Sequence, residues 1–124
     1  MTTVRLREMD EQTTFMQQLQ QDAGPIVLIN EFSVAAEDVE SFLEVWADDA
    51  AFMKQQRGFI STQLHRGTAG SATFVNAAVW ESSSALREAF SSPEYQERAA
   101  RYPDSAGAAP HVFQKVAVPG ICVA

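Results

Sequence analysis

Residues 74–81 read Phe-Val-Asn-Ala-Ala-Val-Trp-Glu, and no other stretch constrains the fold as much. The β-branched and aromatic content, closed by a serine cluster, predicts a strand. Successive side chains on a strand face opposite ways, so Phe74, Asn76, Ala78 and Trp80 share one face. Val75, Ala77 and Val79 form the other face, which is wholly apolar, so both faces need cover. The first row is a poor core layer, because a carboxamide buried without a partner costs about 1–3 kcal/mol. It makes a sensible wall for a flat, oxygen-bearing aromatic ligand. Ala78 leaves space, Asn76 offers hydrogen bonds and Trp80 offers a ring face.

The remaining pattern supplies the neighbours of this strand. At 124 residues the chain is sized for one domain, expected over residues 25–124 after a polar leader, residues 1–24. In the leader, Asp10 is expected to cap a short helix with Phe15, Met16 and Leu19 on one side, ended by Gly24-Pro25. Residues 26–34 alternate as a strand with Leu28, Asn30 and Phe32 on one side and Val27 and Ile29 on the other. Residues 37–56 form a helix whose stripe is Val39, Phe42, Leu43, Trp46, Ala50 and Met53. Asp38, Glu40, Glu44, Asp48 and Asp49 then fall on its solvated side. A second strand, 59–66, turns through Gly67–Gly70 into the third, 72–80. Short helices follow at 82–90 and from Ser92-Pro93-Glu94 to about Arg101, and a last strand spans 111–118. Strand, helix, strand, strand, helix, strand predicts an α+β fold: a ferredoxin-like antiparallel sheet with helices on one face. The first and third strands are central neighbours in that plan, which lets Asn30 and Asn76 approach each other beside Trp80. Helices cover only one sheet face. The apolar second face therefore predicts a homodimer with its sheets packed face to face.

Nine basic and sixteen acidic residues give a formal charge of −7, which opposes binding to nucleic acid or an anionic membrane. Cys122 is the only cysteine, so no internal disulfide forms. The N-terminus lacks a basic-then-apolar signal pattern, and no apolar run approaches the ~20 residues of a membrane span. The expected location is cytoplasmic. No histidine or cysteine pair has metal-ligand spacing and no glycine-rich dinucleotide motif occurs, so neither a metal nor a cofactor is expected.

Leu28-Ile29-Asn30-Glu31-Phe32-Ser33-Val34, Arg57-Gly58-Phe59 and Phe74–Glu81 together carry a resemblance. Residues 26–98 resemble the antibiotic biosynthesis monooxygenase family, a dimeric α/β-barrel fold. Within it they are similar to the cofactor-independent anthrone oxygenases of aromatic polyketide pathways. The resemblance implies catalytic roles for Asn30, Asn76 and Trp80, and for His65, which matches a histidine late in the second strand of some members. Arg98 is the nearest counterpart of an arginine on the last helix, and Leu86 stands where a tyrosine is found. Phe32, Phe42, Trp46 and Phe74, with Arg98, are the expected substrate-binding residues. The implied partners are a small aromatic substrate, O2 and a second copy of the chain.

Two other readings remain at this point. One is a binding module that holds a small hydrophobic ligand without turnover. The other is haem binding or degradation, since Asn30 also matches the asparagine of a haem-oxygenase triad. That triad's tryptophan and histidine fall on Ala89 and Ala99, so the proximal iron ligand is missing. His111 is instead a structural or surface residue at a strand start.

Overall fold

Five strands and four helices build the domain in the computed structural model, which describes residues 4–124. The elements are β1 (Arg5–Leu6), α1 (Phe15–Gln20), β2 (Ile26–Ser33), α2 (Val39–Met53), β3 (Phe59–Arg66), β4 (Thr73–Trp80), α3 (Ser83–Phe90), α4 (Pro93–Ala99) and β5 (Gly107–Phe113). The sheet order is β1-β5-β2-β4-β3, so β2 and β4 are central neighbours and run antiparallel, as the ferredoxin-like plan requires. Among the described residues no helix is long and apolar enough to cross a membrane.

The central ladder fixes everything else. Phe32 pairs with Phe74, Asn30 with Asn76, Leu28 with Ala78 and Ile26 with Trp80. All eight side chains share the helix-covered face. The core divides at the asparagine rung. On one side Phe32, Phe74, Phe42 and Tyr102 gather with Val34, Val39 and Ala108. Phe42 lies 5.1 Å from Phe32 and 4.9 Å from Phe74 between ring centroids. On the other side Ile26, Leu28, Ala78 and Trp80 meet Phe15 and Leu19 of α1 and Leu86 and Ala89 of α3. The helix starts explain the placement of these groups. Ser82 Oγ accepts the Ala85 N–H and Ser92 Oγ accepts the Tyr95 N–H, with Pro93 in the first turn.

The leader is built into the sheet rather than appended to it. Arg5–Leu6 adds a fifth strand parallel to β5, so the sheet is mixed rather than wholly antiparallel. Two residues carry no strand pattern; they pair because β5 offers them backbone groups. Asp10 does not cap α1, since its carboxylate accepts the Gln12 and Thr13 N–H groups instead. Thr14 is the cap, in a reciprocal box: Gln17 N–H donates to Thr14 Oγ1 (3.2 Å) and Thr14 N–H to Gln17 Oε1 (2.8 Å). Met16 is 54% exposed and does not join Phe15 and Leu19 in the core. Buried Ser83 locks the leader to α3, accepting the Ala23 N–H at 2.7 Å and aiming its proton at the Gln21 and Ala23 carbonyls. A Cβ at Gly24 would collide with the Glu81 carbonyl oxygen, so only glycine lets the chain pass the end of β4.

Two boundaries differ from expectation. A 3-10 turn at Ala36–Asp38 precedes α2, which stops at Met53. Five residues on, Gly58 takes φ +88° ahead of β3. The last strand starts at Gly107, four residues before the expected His111, and ends at Phe113. Gly-Ala-Ala-Pro has little strand propensity, but Ala108 packs in one cluster with the rings of Phe32 and Tyr102. Pairing from Gly107 with Ser33 to Phe113 with Val27 overrides that propensity. Pro110 is tolerated because β1 reaches only Ala108, leaving β5 an edge there.

Candidate active site

Between the two halves of the core lies a cavity of about 140 Å³. Its floor is the middle of the central ladder: Leu28, Asn30 and Phe32 of β2 with Asn76, Ala78 and Trp80 of β4. Asn30 and Asn76 face each other directly in register. The Thr62 hydroxyl of β3 donates to Asn76 Oδ1 at 2.6 Å, which fixes that amide and turns its N–H2 away from Thr62. Asn30 Oδ1 is buried with no hydrogen-bond partner, and so is the Trp80 indole N–H. Trp80 is 1% exposed and held edge-on against Phe59, 5.4 Å away. One unpaired acceptor and one unpaired donor thus belong to residues that line the same space. Each such group costs about 1–3 kcal/mol when left unmade, which a bound ligand would recover.

The roof comes from α2, where Trp46, Asp49, Ala50 and Met53 line the space. Tyr102 donates its hydroxyl to Asp49 Oδ2 (3.0 Å), while Asp49 Oδ1 is buried without a partner. Burial is the main reason the Asp49 carboxyl rises from an ordinary 3.8 to about 6; the Tyr102 hydrogen bond and the Arg98 guanidinium lower it, and Asp48 raises it. Burial and the Asp49 charge push the Tyr95 and Tyr102 phenols far above their ordinary value, so both stay protonated. Val4, Leu6 and Phe15 of the leader close one side.

A family model described as antibiotic biosynthesis monooxygenase matches residues 25–101. The chain belongs to the antibiotic biosynthesis monooxygenase family. It is 35% identical over 74 residues to the deoxynogalonate monooxygenase of Streptomyces nogalater, covering 60% of this chain and 62% of that protein. The chain thus spans less than two thirds of that relative's length. Among solved structures, SnoaB, a cofactor-independent oxygenase from Streptomyces nogalater, aligns with a TM-score of 0.67 at 26% identity, over 79% of this chain and 99% of that one. A structure from Shewanella loihica PV-4 aligns with a TM-score of 0.63 at 28% identity, over 77% of this chain and 97% of that one.

Of the residues expected to form the antibiotic biosynthesis monooxygenase site, Asn30, Asn76, Trp80, Phe32 and Trp46 meet at the cavity. Four do not. His65 pairs with Val75 and so lies on the opposite sheet face, exposed, its Nδ1 3.2 Å from the Val75 carbonyl oxygen. The parity is decided by the ladder: Thr62 and Leu64 take the helix side, so His65 cannot. Phe42 and Phe74 are consumed by the aromatic half of the core. Arg98 stacks 4.8 Å over the Phe52 ring and pairs with Asp48 at 3.5 Å, outside the cavity. His111 is buried near the Gln18 amide, also outside it. Three contributors are absent from the expected set: Thr62, Tyr102 and Asp49. A signal for Asp49 was present, since it falls three residues after Trp46 and four before Met53, within the apolar stripe.

Proposed function

We propose that the chain is a cofactor-independent monooxygenase that oxidises an anthrone-like or phenolic polycyclic aromatic to its quinone with O2, working as a homodimer. The observation that carries this reading is the pair of unpaired polar groups, Asn30 Oδ1 and Trp80 Nε1, beside the oriented Asn76 amide in one apolar cavity. They suit a flat ring system bearing oxygens at its edge. An anthrone's CH2 loses a proton readily, and its electron pair passes into the ring-carbonyl system as an enolate. That anion gives one electron to O2. The two radicals combine into a peroxide, and loss of water leaves the quinone. The sum is anthrone plus O2 giving quinone plus water. The Asn76 N–H2 stabilises the enolate oxygen, Asn30 Oδ1 accepts a ring hydroxyl, and the Trp80 N–H donates to the peroxide. Likeness to a cofactor-independent oxygenase and to a deoxynogalonate monooxygenase supports the same reading. The dimer rests on the second sheet face, where Val27, Ile29, Val75, Ala77 and Val79 are only half-buried in a single chain.

Oxygen uptake with dithranol after metal chelation tests the proposal. The parent chain should consume O2, and Asn76→Ala and Trp80→Phe should each lower turnover by about 100-fold, the usual effect of losing one oxyanion donor. Unchanged rates in both variants would remove these residues from the reaction.

A further inference from the structure

The geometry points to Asp49 as the general base that takes the proton from the substrate's acidic carbon, an assignment that rests on the oxygenase reading above. Three observations carry it. Asp49 lines the same cavity as Asn30, Asn76 and Trp80, and its Oδ1 is buried with no partner. Its other oxygen is held by Tyr102, which fixes the direction in which the free one points. No competitor is placed to act: His65 stands on the far face of the sheet, and among the described residues lining the cavity Asp49 is the one carboxylate. The phenols of Tyr95 and Tyr102 stay protonated and serve as walls and donors.

The proton balance closes on this one group. The Asp49 carboxylate takes a CH2 proton, the C–H bond breaks, and its electron pair enters the ring system as the enolate. O2 then accepts one electron and couples to that carbon. The protonated Asp49 returns its proton to the peroxide, giving the neutral hydroperoxide and restoring the carboxylate. Asp49 next removes the remaining hydrogen of that carbon as the O–O bond breaks, and the departing hydroxide regains this proton as water. The protein ends unchanged, two electrons having moved from each of two C–H bonds to O2.

The environment suits the task. Asp49 is faced by the Tyr102 hydroxyl, by Arg98 and Tyr95 of α4 and by Asp48 on its own helix. Its carboxyl sits near 6, which makes it a stronger base than a solvated carboxylate yet leaves it ionised at neutral pH.

Asp49→Asn keeps an oxygen for Tyr102 and deletes the base. Its kcat/KM on dithranol at pH 7 should fall about 100-fold or more. The ascending limb near pH 6 should vanish, and activity should return at alkaline pH, where dithranol arrives already ionised. Without oxygen, the parent should exchange the dithranol CH2 hydrogens with D2O and Asp49→Asn should not. Tyr102→Phe removes a hydrogen bond that lowers the Asp49 carboxyl, so its limb should move to higher pH. An Asp49→Asn variant matching the parent at every pH overturns the base and leaves the oxygenase intact. A parent that takes up no oxygen but shows Asp49-dependent exchange supports the base and ends the oxygenase reading. No exchange by the parent overturns the base. If Asp49→Asn does not fold, an unmoved limb in Tyr102→Phe overturns it equally.

Discussion

Two neighbouring rungs on the same face of one ladder behave in opposite ways. Phe32 and Phe74 are 5% and 2% exposed and are covered by Phe42 and Tyr102 in a ring cluster. Two residues along each strand, Asn30 and Asn76 belong to neither half of the core and open on the cavity. Their backbone pairing is the same; the roof above them differs. Over the phenylalanines α2 lowers Phe42, which reaches both rings. One turn later it offers Trp46 and then Asp49, which stand back and leave space. A site needs that contrast, since an unpaired amide oxygen such as Asn30 Oδ1 persists only beside a core stable enough to carry it.

The sharpest way to break the comparison is Phe42→Ala. Phe42 is fully buried and touches Phe32, Phe74 and Tyr102, so the substitution should cost about 3–5 kcal/mol, read from urea unfolding. A loss below about 1 kcal/mol would mean that Phe42 borders open space after all, as the sequence had suggested.

Asp49→Asn sharpens the comparison from the other rung. Its carboxyl lies near 6 in the folded chain and near 3.8 when solvated, so the folded state holds the proton longer. Between those values the native chain binds more protons than the unfolded one, and stability falls as pH rises. At about 1.4 kcal/mol per pH unit, the ionised carboxylate destabilises the protein at neutral pH by about 3 kcal/mol. The amide has no charge to bury. Asp49→Asn should therefore be more stable than the parent at pH 7 by up to that amount, and equal to it near pH 3.5, by thermal melts across pH. A gain independent of pH would assign the effect to packing instead.

Much of this contrast is legible in the amino-acid sequence. Period-two alternation in residues 26–34 and 72–80, with adjacency of the two strands, puts Asn30 beside Asn76 and Trp80 on the same face. Ser92-Pro93 announces α4, and the 3–4 spacing of Phe42, Trp46 and Met53 announces the roof. What fails does so where tertiary contacts decide. Arg5–Leu6 and Gly107–Ala109 become strands only because each finds a partner with free backbone groups. His65 misses the cavity by one residue of strand parity, a difference that a pattern read without its ladder cannot fix. Asp49 reads as solvated because charge usually is. Only the docking of Tyr102 and α4 against α2 buries it.

The smallest predicted effect concerns the side of the cavity that lies outside the family-matched stretch, residues 25–101. Phe15 there belongs to a six-residue helix, too short to hold itself, and its start depends on the Thr14–Gln17 box. Thr14→Ala deletes one half of that box and should cost about 1 kcal/mol. Phe15 and Leu19 are both buried, and Arg87 also ties the Leu19 carbonyl at 2.7 Å, so the helix should loosen rather than detach. The asparagine rung and Asp49 lie elsewhere and keep their contacts. Thr14→Ala should therefore raise KM for dithranol a few-fold and leave kcat near the parent value. A matching fall in kcat would tie the leader to the chemistry. A stability loss with KM unmoved would make the leader a brace for α3 and leave the ring system bound by the sheet and α2 alone.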